Sequence, residues 1–199
     1  AANPAPGDTL QMTAGVWKDQ KIVFRGVGTA DQPIKLVGSD AVTLTGKSTL
    51  KMSGSWLVAT KLRFVGGALP SESDDVVEFQ ADSDERCNDC TLSHSLIQDY
   101  NPSDLTIDYK WVSLYGQRNK LYNTTLQGKA NLGAVVVVWK RAPTGVTAVD
   151  EDRHSISFNR FISRNQVAGN NNDQEAIRIG TSTTKSESNT IVYSNYFED

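Results

Sequence analysis

The sequence lacks most of the features from which a function is usually inferred. Its 199 residues include only two cysteines and two histidines. Neither His94 nor His154 lies in a Ser or Cys nucleophile motif, so we expect both to be structural. No stretch has the 3.6-residue apolar period of an amphipathic helix, and no apolar run approaches the ~18 residues that span a membrane. The net charge is -3, whereas nucleic-acid binders usually carry an excess of basic residues. We therefore expect neither nucleic acid nor, without an apolar span, a membrane as a partner.

The two cysteines form the short motif Cys87-Asn-Asp-Cys90. A zinc site would need further ligands, and a redox CxxC pair normally lies where a strand meets a helix. A small-loop disulfide in an exported protein is the favoured interpretation, with free structural thiols as the alternative. The chain begins Ala-Ala, which is what signal cleavage after small residues leaves behind, so we expect a secreted or periplasmic protein.

One short pattern recurs five times: an apolar residue, a polar residue three positions later, and a second apolar residue two positions after that. The copies are Leu57-Thr60-Leu62, Leu92-Ser95-Ile97, Leu121-Thr124-Leu126, Ile156-Asn159-Phe161 and Ile191-Ser194-Tyr196. Their starting positions are 35, 29, 35 and 35 residues apart. A repeat of this length in strand-like sequence is typical of a solenoid, whose coils bury apolar residues by stacking on their neighbours. The repeat predicts an all-β fold, a right-handed parallel β-helix.

The repeat also predicts which side chains point inward. The apolar positions expected to stack inside are Leu92, Ile97, Leu121, Leu126, Ile156, Phe161, Ile191 and Tyr196. The polar positions suit an internal ladder in which Thr124, Asn159 and Ser194 lie on one line.

A second strand is predicted in each coil, upstream of the repeated pattern. Alternation in three of these strands places Glu78, Ser113 and Arg178 outward on a single sheet. The four consecutive valines 135–138 break the alternation, which indicates a strand whose outer face is also covered.

We expect residues 1–199 to form a single domain, because no linker or change in composition interrupts them. Short strands between Gly-, Asp- and Pro-rich turns predict opening coils and a cap over 8–50, and regular coils follow over 51–199. The fifth repeat stops directly before Asp199 without a capping segment, which would leave strand edges exposed. The sequence therefore favours a domain that is truncated at its C-terminal end.

A run of polar residues, Asn170-Asn171-Asn172-Asp173-Gln174-Glu175, precedes the last second strand. Its amide and carboxylate oxygens are hard ligands of the kind that Ca²⁺ prefers. An ordinary Asn-rich turn has the same composition, because Asn tolerates left-handed backbone angles. Both interpretations stay open on the residues alone.

The stretch NNNDQEAIRIGTS, followed by NTIVYSNYFED, resembles the central signature of polysaccharide lyase family six, the family of chondroitinase B and many alginate lyases. PGDTLQM, LQGKANLGAVVVVW and HSISFNRFISRN match the same pattern upstream, so the resemblance covers nearly the whole chain. It implies a parallel β-helix in which Asn172 is one ligand of a Ca²⁺ ion. Two glutamates, a lysine base and an arginine acid are expected beyond residue 199, so no catalytic residue is predicted within this chain. A second chain or a C-terminal fragment would complete the β-helix.

Basic side chains form a second candidate site. Counting eight positions from each start of the repeat places Lys129 and Arg164 about 5 Å apart on an outer row that also contains Tyr100. A bound anion would relieve the repulsion between these two cations, although two solvated side chains that splay apart would also do so. Arg178 on the strand face, and Arg141 near the start of the loop 140–153, would extend the patch.

The resemblance implies a lyase that cleaves a uronic-acid polysaccharide by calcium-assisted β-elimination, with alginate as the first candidate and dermatan or chondroitin as the second. The four cations are predicted to bind this anionic polysaccharide. A noncatalytic carbohydrate-binding solenoid or adhesin is the alternative, and a pectate-lyase-like enzyme is the third. The aromatic residues that could stack on sugars, or else pack in the core or turns, are Trp56, Trp111, Trp139, Tyr100 and Tyr115.

Overall fold

The computed structural model describes residues 3–140, 152–164, 175–181 and 187–198. Within these ranges the regular elements are 21 short β-strands, and all of their pairings are parallel. The strands form three sheets, A, B and C, which the chain visits in that order in successive coils. None of the described residues belongs to a helix with the length and apolarity that crossing a membrane requires.

Each sheet contains seven strands, which lie one above another in sheets A and B, whereas in sheet C two strands of one coil, β9 and β10, both pair with β6. Sheet A consists of β1 (Thr9–Gln11), β4 (Ile34–Val37), β7 (Leu57–Thr60), β11 (Thr91–Ser93), β14 (Lys120–Tyr122), β17 (Ser155–Ser157) and β20 (Ile191–Tyr193). Sheet B consists of β2 (Gly15–Lys18), β5 (Val42–Thr45), β8 (Arg63–Val65), β12 (Leu96–Gln98), β15 (Thr125–Gln127), β18 (Arg160–Ile162) and β21 (Tyr196–Glu198). Sheet C consists of β3 (Lys21–Val27), β6 (Thr49–Ser55), β9 (Val77–Glu78), β10 (Cys87–Asn88), β13 (Val112–Leu114), β16 (Val136–Val138) and β19 (Ile177–Ile179).

Strands of one coil pair with the corresponding strands of the next coil, which is the arrangement of a parallel β-helix. The predicted fold is therefore confirmed. The segment 8–50 contributes β1 to β5 and the start of β6, so it forms the first coils of the stack. Strand β2 was not predicted, because Gly15–Lys18 is a short and mostly exposed segment without an apolar alternation.

The core is a set of apolar rows that run along the stack. In sheet A the register places Leu36, Ala59, Leu92, Leu121 and Ile156 opposite one another in consecutive coils. All five are at most 8% exposed. Because burying one large apolar side chain contributes about 1.5–3 kcal/mol, such rows supply much of the stability of the stack.

A matching row lies in sheet B and contains Phe64, Ile97, Leu126 and Phe161. These residues are at most 5% exposed. The inward orientation that the sequence predicts for Leu92, Ile97, Leu121, Leu126, Ile156 and Phe161 is thus confirmed.

The last coil is offset by one residue from the prediction. Ile156 pairs with Val192, not Ile191, and Phe161 pairs with Phe197, not Tyr196. The rings of Phe161 and Phe197 stack with their centroids 4.9 Å apart. Because side chains alternate between the faces of a strand, a shift of one residue moves the whole set to the other face. The predicted inward orientation of Ile191 and Tyr196 is therefore wrong.

The polar ladder inside the stack is confirmed, with the same offset at its end. The amide of Leu62 donates to Ser95 Oγ at 3.1 Å, and that of Thr124 donates to Asn159 Oδ1 at 3.0 Å. The amide of Asn159 in turn donates to Asn195 Oδ1 at 2.9 Å. The last rung is Asn195, so the prediction of Ser194 on this line is wrong.

A second internal ladder lies where the chain passes from sheet C to sheet A. The amide of Cys90 donates to Asn119 Oδ1 at 2.8 Å, and the amide of Asn119 donates to His154 Nδ1 at 3.0 Å. Cys87 and Cys90 form a disulfide beside it, as the favoured interpretation of their spacing predicts. His154 is 1% exposed, and burial lowers the pKa of its imidazole to about 4.

The buried imidazole of His154 makes the free energy of unfolding fall as the pH is lowered. The folded-state pKa of His154 lies below its ordinary value of 6.5, so its contribution is complete above pH 6.5 and is lost as the pH falls towards 4. The difference corresponds to about 3 kcal/mol. The variant His154→Asn places an amide acceptor in the ladder, as Asn159 does, but has no imidazole to protonate. Between pH 7 and pH 4.5 we expect its free energy of unfolding to fall less than that of the wild type. Urea unfolding at both pH values measures this, and equal losses in the two proteins would contradict it.

Candidate functional site

The outer face of sheet C carries a row of mostly polar and charged side chains. The strand register places Lys51, Glu78, Ser113, Val137 and Arg178 in one outward row across consecutive coils. The predicted outward positions of Glu78, Ser113 and Arg178 are confirmed by this register. Ser113 and Val137 are nevertheless fully buried, so side chains from the neighbouring connections cover the middle of this face, as the valine run indicates.

A hydrogen-bonded chain over Ser113 provides part of this cover. Ser113 Oγ donates to Asp75 Oδ2 at 2.5 Å and accepts from Trp139 Nε1 at 3.0 Å. The other oxygen of Asp75 accepts the backbone amide of Lys110 at 2.7 Å. Three coils are therefore linked through the Asp75 carboxylate and the Ser113 hydroxyl, and the hydroxyl also fixes the orientation of the indole.

Trp139 is the aromatic centre of the resulting cleft. Its ring stacks on that of Tyr115 with the centroids 5.9 Å apart, and Lys110 Nζ lies 5.8 Å from the indole centroid. Lys110 also forms a 2.8 Å ion pair with Asp108. The cleft has a volume of about 300 Å³, and it is lined by Glu72, Ser73, Asp74, Asp75, Glu78, Gln80, Lys110, Tyr115 and Trp139.

The N-terminal end of the cleft is acidic but internally paired. Lys51 Nζ lies 2.9 Å from Asp74 and 3.2 Å from Glu78. Burial raises the pKa of Asp75, and burial together with the charge of Asp75 raises the pKa of Glu78. Among the residues that the structure describes, no three His, Cys, Asp or Glu side chains are grouped so as to hold a metal ion.

The three predicted site residues that the structure describes, Lys129, Arg164 and Arg178, do not form one exposed patch. Arg178 lies on the sheet C face, with its Nε 3.8 Å from the carboxylate of Glu175. Arg164 is exposed where the chain leaves sheet B, with Nη1 3.9 Å from Asp99 Oδ1, and it lines a separate cavity of about 460 Å³. Arg141 and Asn172 lie outside the described residues.

The prediction that Lys129 lies exposed beside Arg164 is wrong. The backbone register is as expected, since Gln127 pairs with Ile162. However, the Lys129 side chain turns inward, and its Nζ donates to the carbonyl of Asn131 at 2.7 Å and that of Leu132 at 3.0 Å. Lys129 is 8% exposed, and burial lowers the pKa of its ammonium to about 7. No repulsion with Arg164 remains for an anion to relieve.

The aromatic candidates differ in their burial, which separates core residues from those that can contact a ligand. Tyr100 and Trp111 are fully buried, which makes them core residues. Trp139 is half-buried at the cleft and is the candidate best placed to touch a ligand. The roles of Asp75 and Lys110 were not predicted, because no local motif marks a carboxylate that bonds to a serine 38 residues away.

The buried lysine predicts an unusual pH dependence. Between pH 7 and its ordinary pKa of 10.5, the Lys129 ammonium is protonated in the unfolded chain but neutral in the folded one, so stability should rise with pH. We expect a rise of about 1 kcal/mol per pH unit in the wild type that is absent in Lys129→Met. Denaturant unfolding at pH 7 and 9 measures it, with the exposed Lys47→Met as the control. Parallel pH profiles for all three proteins would contradict the assignment.

Comparison with known proteins agrees with this architecture. The family model of chondroitinase B matches residues 2–199. The alginate lyase AlyGC of the PL6 family is 29% identical with a TM-score of 0.89, over 98% of this chain and 26% of that chain. A mannuronic acid-specific family 6 lyase from human gut microbiota is 28% identical with a TM-score of 0.87, over 98% of this chain and 44% of that one.

A third similar structure is the PL6 polysaccharide lyase Pedsa3628 from Pseudopedobacter saltans, which is 27% identical with a TM-score of 0.77, over 98% of this chain and 43% of that one. No curated protein sequence matches the chain. The chain thus spans between 26% and 44% of the length of these solved relatives. Because the family model matches almost every residue, and the fold agrees with that of PL6 lyases, the chain belongs to the chondroitinase B family.

Proposed function

We propose that the protein containing this chain cleaves a uronic-acid polysaccharide by β-elimination. The observation that carries the proposal is the match of the chondroitinase B model to residues 2–199, together with the outer cleft of sheet C. Alginate is the first substrate candidate, because AlyGC is an alginate lyase and the gut microbial relative is specific for mannuronic acid. Dermatan or chondroitin is the second candidate.

The chemistry sets clear requirements for the site. Removing the proton next to a uronate carboxylate adds negative charge to an existing anion, so the site must stabilise that charge. A base must take the proton, and an acid must protonate the departing glycosidic oxygen. In this proposal the chain binds and orients the polymer on sheet C, through Arg178 and the Trp139 cleft. The lysine base and arginine acid are expected after residue 199.

We also propose that the reaction uses a bound calcium ion. A bound Ca²⁺ would neutralise the uronate carboxylate and so lower the cost of removing the adjacent proton. Asn172 would offer one amide oxygen, and calcium affinity depends on the number and charge of all the ligands. Asn172→Ala is therefore expected to weaken calcium binding, which titration calorimetry measures without reference to activity.

A release assay tests the proposal directly. The full-length protein that contains residues 1–199 is expected to generate unsaturated uronates from alginate, seen as a rise in near-ultraviolet absorbance. A chelator should abolish the rise, and added calcium should restore it. Binding of alginate or dermatan sulfate without any absorbance change, at every calcium concentration, would instead establish the noncatalytic carbohydrate-binding alternative.

Arg178 provides a test of where the polymer lies. Arg178 lies on the sheet C row, and a guanidinium can bind a carboxylate with two hydrogen bonds. Arg178→Ala should therefore raise KM for alginate about tenfold and make KM less dependent on salt concentration. Arg178→Lys should recover part of the loss. Arg164→Ala is the comparison, since Arg164 lies outside the row and beside Asp99. A larger effect from Arg164 than from Arg178 would move the substrate to the corner between sheets B and C.

A further inference from the structure

We propose that the corner between sheets A and B is a second, noncatalytic binding surface for an anionic polysaccharide. Four aromatic rings, His94, Tyr122, Phe158 and Tyr193, form a continuous row along this corner, here called the aromatic ribbon. Their successive centroids are 5.5, 5.7 and 5.7 Å apart. Each ring belongs to the next coil of the stack, so the row runs parallel to the long axis.

Packing in the core does not account for the rings of the ribbon, because they are largely exposed. Tyr122 and Phe158 are 39% and 49% exposed although each has a coil of the stack on both sides. The rings touch one another edge to face and leave much of their surface to solvent. A row of apolar faces at regular spacing suits a polymer of pyranose rings, each of which presents a face of C–H bonds.

Phe158 occupies a backbone conformation that is unfavourable for its side chain. Its φ of 59° is left-handed, a region that bulky residues rarely adopt and that Asn tolerates well. The equivalent residue of the preceding coil is Asn123, whose φ is 46°. An aromatic residue here accepts strain without the compensation of full burial, which points to a role for the exposed ring itself.

The charges around the ribbon favour an anion. In three of the four coils that carry the ribbon, the segments of sheets A and B, 91–98, 120–127 and 155–162, contain no Asp or Glu, although the chain has 23 of them; the fourth segment, 191–198, contains Glu198. Lys120 and Arg160 lie exposed in these segments, and Lys61 lies exposed in the preceding coil. An acidic protein needs such a local field to attract a polyanion. The ligand class is therefore a uronate polymer, held by ring contacts and by surface cations.

The surface is separate from the cleft of sheet C, and the proposal assumes the substrate class proposed above. A polymer held on the ribbon would keep the protein on its substrate without occupying the cleft. The readout below is binding and not cleavage. A protein without lyase activity can therefore still confirm the ribbon, and an active lyase can still fail the test.

The experiment uses residues that neighbouring coils already carry at these positions. In the double variant Tyr122→Ser and Phe158→Asn, the serine copies Ser157 and the asparagine copies Asn123, so the fold should be retained or stabilised. We expect the double variant to bind alginate about tenfold more weakly in affinity electrophoresis, with an unchanged or higher melting temperature. Val16→Ser, which alters a 72% exposed apolar residue in the first coil, is the matched control and should bind like the wild type.

A second variant, which removes two surface cations, tests the proposal even if the aromatic double variant folds poorly. Lys120→Gln with Arg160→Gln should weaken binding at low salt and flatten its salt dependence. Unchanged alginate binding in both variants would overturn the proposal, as would equally tight binding of neutral mannan by the wild type. A wild-type dimer in sedimentation that the aromatic double variant dissociates would overturn it too, because a second copy would then be the occupant of the ribbon.

Discussion

Backbone hydrogen bonds between successive coils determine which side chains of this protein become neighbours. They align Leu92 with Leu121 in the core and Ser113 with Val137 on the outer face of sheet C. The internal ladders depend on the same alignment, because an amide of one coil meets a side-chain acceptor of the next. Since side chains alternate along each strand, one register decides the core, the cleft and the aromatic ribbon together.

The sequence was sufficient to predict this register from Leu92 to Ile156, but not at the first repeat, where Leu92 pairs with Ala59 and not with Leu57. Leu121 and Ile156 are 35 residues apart and pair as the repeat predicts. The next interval is one residue longer, since Ile156 pairs with Val192, and a fixed repeat therefore misplaced both Ile191 and Tyr196. Periodic counting cannot detect a single added residue in a corner, because the apolar pattern of the following strand fits either register.

The candidate site was harder to predict because its residues lie in the connections, where alternation no longer applies. Lys129 follows the end of β15, and its ammonium meets main-chain carbonyls that no side-chain pattern reveals. Asp75 reaches Ser113 across 38 residues of sequence. What could be predicted was the identity of the face, because Glu78 and Arg178 alternate with apolar residues on strands that pair in series.

The three corners of the coils differ in how much chain they contain. Lys61 and Leu62 alone connect β7 to β8, and pairs such as Asn123 and Thr124 make the same turn in later coils. In contrast, residues 163–176 connect β18 to β19, and residues 139–154 connect β16 to β17. Three and four residues make the turn between sheets A and B in the first two coils, whereas from the third coil onwards variation in coil length is confined to the two corners that border sheet C. Loops can be lengthened or exchanged there to reshape the walls of the cleft, while the tight corner between sheets A and B keeps the coils in step.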